Sequence, residues 1–367
     1  MSMRLLLVGL IVASAAAASP SRDGKLVPAT PMSLPRAAHT ETALLDGTVL
    51  VAGGCTNAGC ELGSPGSDTA EVYSPKTGDF ARVGRLRGGS RDDHVAVLLG
   101  DGRVLLAGGW GASSAGPLDT TELYDPSTRS FSAGPRLAVG RGGIAAVRLR
   151  DGRVLLTGGF TGNKPTTSIA ELFDPLTNSI APAGRMTVAR GGHSATLLRD
   201  GRVLVAGGMR NGRVVASAEL YDPATGRFTP TGRMRVARYK TAAITLRDGT
   251  ALVVGGAADV DGTVLFASTE LYDPKSRRFT TGPRMHLPRY KLTGSTVPLP
   301  NGDVLVTGGA LQAERFDSRA KTFRLVPGAL DHTRLFLTAA ALPGGRALLV
   351  GGYDKAIRPT AATWLYR

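Results

Sequence analysis

The 367-residue chain carries 44 Lys and Arg against 29 Asp and Glu, a formal net charge of +15. Its 42% hydrophobic content supports a packed core, which excludes a disordered or low-complexity chain. The 49 Gly and 22 Pro follow no Gly-x-y period, so collagen is excluded and short strands with many turns are expected. With 10 Phe, 8 Tyr and 2 Trp, the composition argues against a broad stacking platform for single-stranded nucleic acid.

At the N-terminus, Arg4 precedes an apolar run from Leu5 to Ala18, too short to span a bilayer comfortably. Ala16-Ala17-Ala18 before Ser19 has the small-x-small form of a secretory cleavage site. A signal peptide over 1–18 is therefore expected, leaving one domain over 19–367 in a secreted or periplasmic protein. No later stretch is expected to span a membrane. The two cysteines, Cys55 and Cys60, stand five residues apart with no His nearby, so a local disulfide is expected rather than a zinc site.

The rest of the chain repeats. Gly-Gly pairs begin at 53, 108, 158, 207, 255, 308 and 351, each after an apolar run such as Val49-Leu50-Val51-Ala52. A turn precedes each run: Asp46-Gly47, Asp101-Gly102, Asp151-Gly152, Asp200-Gly201, Asp248-Gly249, Asn301-Gly302 and, in the last unit, Gly344-Gly345. Such dipeptides between apolar runs predict two-residue hairpins with positive φ at both turn positions. Further on, each of six units has Glu-x-Tyr or Glu-x-Phe (Glu71 and Tyr73 in the first), and an apolar residue stands seven positions after the aromatic. Each unit thus predicts four strands, a to d. The seventh stops in strand c at Trp364-Leu365-Tyr366, and Gly24-Lys25-Leu26 has the pattern of its missing strand d. The reading is an all-β, seven-bladed β-propeller closed by its N-terminal strand.

Asp-Gly-x-Val-Leu-Val-x-Gly-Gly followed by Glu-x-Tyr-Asp-Pro resembles the kelch repeat, in the form found in bacterial kelch proteins and in galactose oxidase-type propellers. The resemblance covers Gly24 to Arg367. It implies the propeller fold and leaves function open, because such propellers serve enzymes, adaptors and scaffolds.

One position recurs in every unit. Arg36, Arg91, Arg141, Arg190, Arg238 and Arg334 stand 17 residues before the first Gly of their pairs, and Arg289 stands 19 before. In the kelch topology this is the start of the innermost strand. Two readings stand side by side. The six repeat glutamates can pair with these arginines and hold the blades; alternatively, the arginines form a ring at the channel mouth that takes an anion. The resemblance implies the second, since arginines at this position contact substrate or acidic peptide in related propellers. Trp110, Phe160, Phe266 and Tyr353 flank the ring from the b–c loops, and Tyr239-Lys240 and Tyr290-Lys291 follow two of its arginines. The expected ligand site comprises the seven arginines with Trp110, Tyr239 and Tyr290.

His39, His94 and His193 recur three residues after the arginines and read as packing or hydrogen-bonding groups rather than metal ligands. Both cysteines share one loop, which departs from the cross-linked Cys–Tyr of copper-radical oxidases. No P-loop, Rossmann fingerprint or Gly-x-Ser-x-Gly elbow is present. The expectation is a monomer without cofactor or metal that binds an acidic glycan or acidic protein surface, and not nucleic acid. The alternatives are an acidic-sugar epimerase-like enzyme and a structural envelope module.

Overall fold

The computed structural model describes residues 24–58, 66–111, 116–162 and 165–367. The expected signal peptide over 1–18 and Cys60, half of the expected disulfide, lie outside the described residues. Among them, no helix is long and apolar enough to cross a membrane.

Seven four-stranded antiparallel sheets follow one another along the chain. Blade 1 is Thr40–Ala43, Val49–Ala52, Ala70–Ser74 and Asp79–Arg82, and blade 4 is Ser194–Leu197, Val203–Ala206, Ala218–Asp222 and Arg227–Pro230. Blade 7 takes three strands from the C-terminal end, Thr338–Leu342, Arg346–Val350 and Thr363–Tyr366. Its fourth strand is Leu26–Ala29, with Leu26 opposite Tyr366 and Ala29 opposite Thr363. The N-terminal strand therefore closes the ring, and the protein is a seven-bladed β-propeller. Each strand a touches the strands a of the two neighbouring blades, so these strands surround a central channel.

Core forms between blades rather than within them. Leu155, Leu172, Val203, Val205, Tyr221 and Phe228 fill the space between blades 3 and 4. Strand b has apolar residues on both faces because both are covered; Val49–Ala52 and Val203–Ala206 are buried throughout. The seven-residue aromatic spacing is the c–d hairpin register: Tyr221 pairs with Phe228, their rings 4.8 Å apart.

The a–b turns differ from the expected form. Gly47, Gly102, Gly152, Gly201, Gly249 and Gly302 have φ between +83° and +94°, while the preceding Asp or Asn does not enter the left-handed region. Gly47 N–H donates to the Leu44 carbonyl at 3.1 Å, and Thr48 N–H donates to Asp46 Oδ1 at 2.9 Å. This is a type I turn followed by a glycine bulge: the Asp side chain holds the turn, and only the glycine needs positive φ.

The Gly-Gly pairs join blades. The second glycine donates its N–H to the carbonyl of the next blade's repeat arginine, as Gly208 does to Arg238 at 2.7 Å, and Gly352 closes the circuit on Arg36 at 2.8 Å. Gly207 has φ +68°, and a Cβ there would meet the Arg238 carbonyl at 2.6 Å, so a side chain is excluded by conformation and by space.

Candidate functional site at the channel mouth

Strands a begin, and b–c loops emerge, on one face of the ring, called here the loop face. The repeat arginines lie on this side, but six of them are turned into the blades. Arg36, Arg91, Arg141, Arg190, Arg238 and Arg289 are at most 1% exposed. Arg190 shows the pattern: it donates to the carbonyls of Gly207 (2.7 Å) and Ser217 (2.8 Å), to Ser217 Oγ (3.1 Å) and to Glu219 Oε1 (2.9 Å). The others pair with Glu71, Glu122, Glu171, Glu270 and Glu314. Each glutamate also accepts backbone N–H groups from the d–a linker, as Glu219 does from Thr187 and Val188. Burial lowers the pKa of these arginines, and the paired carboxylate opposes that shift.

The expectation of an anion-binding arginine ring is corrected for these six residues. Their guanidinium groups bind the Gly-Gly carbonyl and the strand c glutamate, leave the Nε of Arg36, Arg91, Arg141 and Arg289 buried without a partner, and do not reach the mouth. The 17-residue spacing is the length of chain needed to bring each Arg back to its own Gly carbonyl. In blade 7, Trp364 stands where the other blades have Glu, and Arg334 (5% exposed) instead binds Asp331 three residues upstream at 2.5 Å.

The residues that form the mouth stand two positions after each arginine: Ala38, Asp93, Gly143, Gly192, Lys240, Lys291 and Phe336. All seven have φ between +45° and +59°. Their peptides link around the channel, Asp93 N–H to Ala38 C=O (2.8 Å), Gly143 to Asp93 (3.1 Å), Gly192 to Gly143 (2.9 Å) and Lys240 to Gly192 (3.0 Å). Five of the seven carry a side chain in a left-handed conformation, at about 1 kcal/mol each. The network fixes these side chains at the rim of a channel of about 250 Å³.

The expected aromatics do gather here. Trp110 lies over Gly142, Phe160 over Gly143 and Gly191, and Tyr239 over Gly192. Phe160 and Tyr239 meet edge to face, centroids 6.4 Å apart. Tyr290, Phe336 and Tyr353 form a second group around the two lysines. Lys240 Nζ is 4.4 Å from the Phe336 ring centroid and 5.4 Å from that of Tyr239. Lys291 Nζ is 5.2 Å from the same Phe336 ring, 5.1 Å from Tyr290 and 4.9 Å from Tyr353, whose hydroxyl it also contacts. Phe266 is not part of the mouth; it stacks on Arg238 at 4.9 Å.

Across the mouth stand Asp92 and Asp93. Burial, then the neighbouring Asp93 charge, pushes the Asp92 carboxyl up to about 7. Burial also raises Asp93, opposed by Lys240 and Lys291. For Lys240, burial favours the neutral amine, but the surrounding tyrosine hydroxyls and Asp93 outweigh it and its pKa is raised. The site thus presents two ammonium groups facing one ring, with one carboxyl near half-protonation at neutral pH.

Deeper in the channel, His39, His94 and His193 bond through Nε2 to Thr338 (2.7 Å), Thr40 (2.9 Å) and Thr157 (2.9 Å), each on the adjoining blade. Burial, then nearby arginines, holds His39 and His193 near 3, so they are neutral interblade pins. Glu41, on strand a of blade 1, lies against Thr338 and Ala340 of blade 7, its oxygens buried without a hydrogen bond of good geometry. Burial pushes it up to about 8.

Sequence reasoning missed the rim position because its seven residues share no chemistry. The signal was the paired Gly142-Gly143 and Gly191-Gly192, beside the bulky residues of other units at the same place.

The comparisons agree with the fold. The Kelch motif matches residues 190–235, which is the span from Arg190 through blade 4. No curated protein matches the sequence. Among solved structures, a fungal alcohol oxidase of the AA5 family, in complex with copper, is similar at TM-score 0.75 and 17% identity, covering 94% of this chain and 76% of that one. At that identity the likeness is one of fold.

Proposed function

We propose that this kelch-type propeller is an exported binding protein that takes an anionic ligand, such as the carboxylate of an acidic sugar, at the mouth of its central channel. The observation that carries this reading is the convergence of Lys240 and Lys291 on the Phe336 ring, at 4.4 and 5.2 Å. Asp93 already offsets part of their charge, and an anion entering the mouth would be held by both ammonium groups at once. Trp110, half-buried against the core of Phe160, Met209 and Tyr239, offers apolar surface for the face of a sugar or a peptide side chain. The apolar run before Ser19 supports export.

The test is an acidic-glycan array followed by calorimetric titration of the hits, with wild type and Lys240→Met/Lys291→Met. Met preserves most of the side-chain volume and removes the charge. Saturable binding that weakens at least about tenfold in the variant supports the site. Equal binding by a folded variant rejects it.

A second reading is favoured by Asp92. A carboxyl held near 7 beside Asp93 and Lys240 is suited to moving a proton on a bound sugar. Incubating array hits in deuterated water and looking for exchange at carbon separates catalysis from binding.

A further inference from the structure

The opposite end of the channel is built from the a–b turns, with the c–d turns outside them. We propose that this turn face carries an anion-binding surface separate from the mouth, an arc of Arg148, Arg150, Arg199 and Arg247 across blades 3 to 5, and that it docks an acidic polysaccharide.

The repeat sets the arc. Arg150, Arg199 and Arg247 each stand immediately before the turn Asp, in three consecutive blades. Each leans over the turn glycine of the next blade, Gly201, Gly249 and Gly302 respectively, and Arg148 reaches back over Gly100 of blade 2. All four are exposed. Three of the side chains are placed by backbone carbonyls: Arg148 on Leu98 at 3.5 Å, Arg150 on Arg199, and Arg247 on Pro300.

The acids of the a–b turns are already engaged. Asp101 binds Arg103 (2.7 Å), Asp151 binds Arg153 (2.7 Å), Asp200 binds Arg202 (2.6 Å) and Asp248 binds Lys321 (2.5 Å). Among the described residues, none of the four arc arginines forms an ion pair. A guanidinium has five N–H donors, so a single carbonyl contact leaves most of them for a ligand.

The geometry selects the partner. Cations repeated at blade intervals fit a polymer with repeated anionic groups better than a single small anion. The corresponding residues of the other four blades are Leu45, Gly100, Pro300 and Pro343, so the ring of turns offers no aromatic side chain at this position. A nucleic acid would find phosphate contacts but no aromatic side chain at this position on which to stack a base. A sulfated or carboxylated polysaccharide needs only the cations.

The experiment uses the full chain on immobilised heparin and polygalacturonate from 50 to 300 mM NaCl, with Arg150→Gln/Arg199→Gln/Arg247→Gln and Lys240→Met/Lys291→Met compared. By analogy with phosphate contacts, each lost cation should lower the salt slope by about one unit, or about three for the triple variant. The same fall in slope should appear when the three arginine changes are made in the Lys240→Met/Lys291→Met background, where the mouth is disabled, so this proposal can fail independently of the mouth reading. Arg199→Gln alone, whose side chain makes no internal hydrogen bond, should lose about one unit and covers the case of a triple variant that does not fold. Unchanged binding by either folded arginine variant overturns the proposal. Equally tight binding of an oligothymidylate, lost in the same variants, also overturns the assignment to polysaccharide.

Discussion

Glu41 makes stability depend on pH in a way that one isosteric change should remove. Its carboxyl lies between blades 1 and 7, where burial raises it from an ordinary 4.5 to about 8. In the unfolded chain the same group titrates near 4.5. Between these values the unfolded state releases a proton that the folded state keeps. Folding stability must therefore fall as pH rises through this window, by about 1.36 kcal/mol per unit at most. The full window corresponds to a limit of about 5 kcal/mol. The adjoining channel gives water a route to the carboxyl, which reduces the expected loss to about 1–3 kcal/mol. Glu41→Gln keeps the shape and removes the titration. Urea unfolding of both proteins at pH 5, 7 and 9 measures the difference. The variant should gain on wild type progressively from pH 5 to pH 9. Parallel profiles across that range would refute the argument and place the carboxyl in water.

Other outcomes follow from the same contacts. Glu219→Gln leaves Arg190 buried without its counter-charge and should cost about 3–5 kcal/mol in urea unfolding; a loss under about 1 kcal/mol would show that the carbonyls alone suffice. Gly208→Ala forces φ +92° on alanine and brings its Cβ to 2.8 Å from His193 Cβ. A loss of about 2–4 kcal/mol is expected, and a neutral result would mean that the blades can shift apart. Deleting Leu26–Ala29 uncovers the Thr363–Tyr366 edge and should lower the midpoint of thermal unfolding and cause concentration-dependent association, read by light scattering. A monomer of unchanged midpoint would show that the closing strand is dispensable.

The blade count, strand register and closing strand were legible because they rest on spacing. Seven Gly-Gly pairs, a fixed seven-residue c–d interval and an orphan strand at Leu26 leave little freedom. The role of the arginines was not. A residue copied into every blade reads the same whether it faces the channel or the blade, and only the partner decides. The matching glutamates were the correct clue, since a ring meant for ligand does not need an internal acid in six of seven units. The turn type was missed for a related reason: Asp-Gly suits either turn, and the choice lies in whether the Asp side chain caps the bend. The rim was invisible because Ala38, Asp93, Lys240 and Phe336 share a backbone conformation and nothing else.

The pairing of Leu26 with Tyr366 has a consequence for how the chain reaches its final form. Six blades can assemble from neighbours in sequence as the polypeptide emerges. The last cannot, because its two halves come from opposite ends of synthesis. Folding should end with one long-range clasp, and ring opening should begin at the same seam. The clasp also places both ends of the domain side by side on one outer edge, the arrangement that tolerates circular permutation. A permutant cut at an exposed turn of another blade, with the old ends joined, would move the clasp without changing a single contact in the channel.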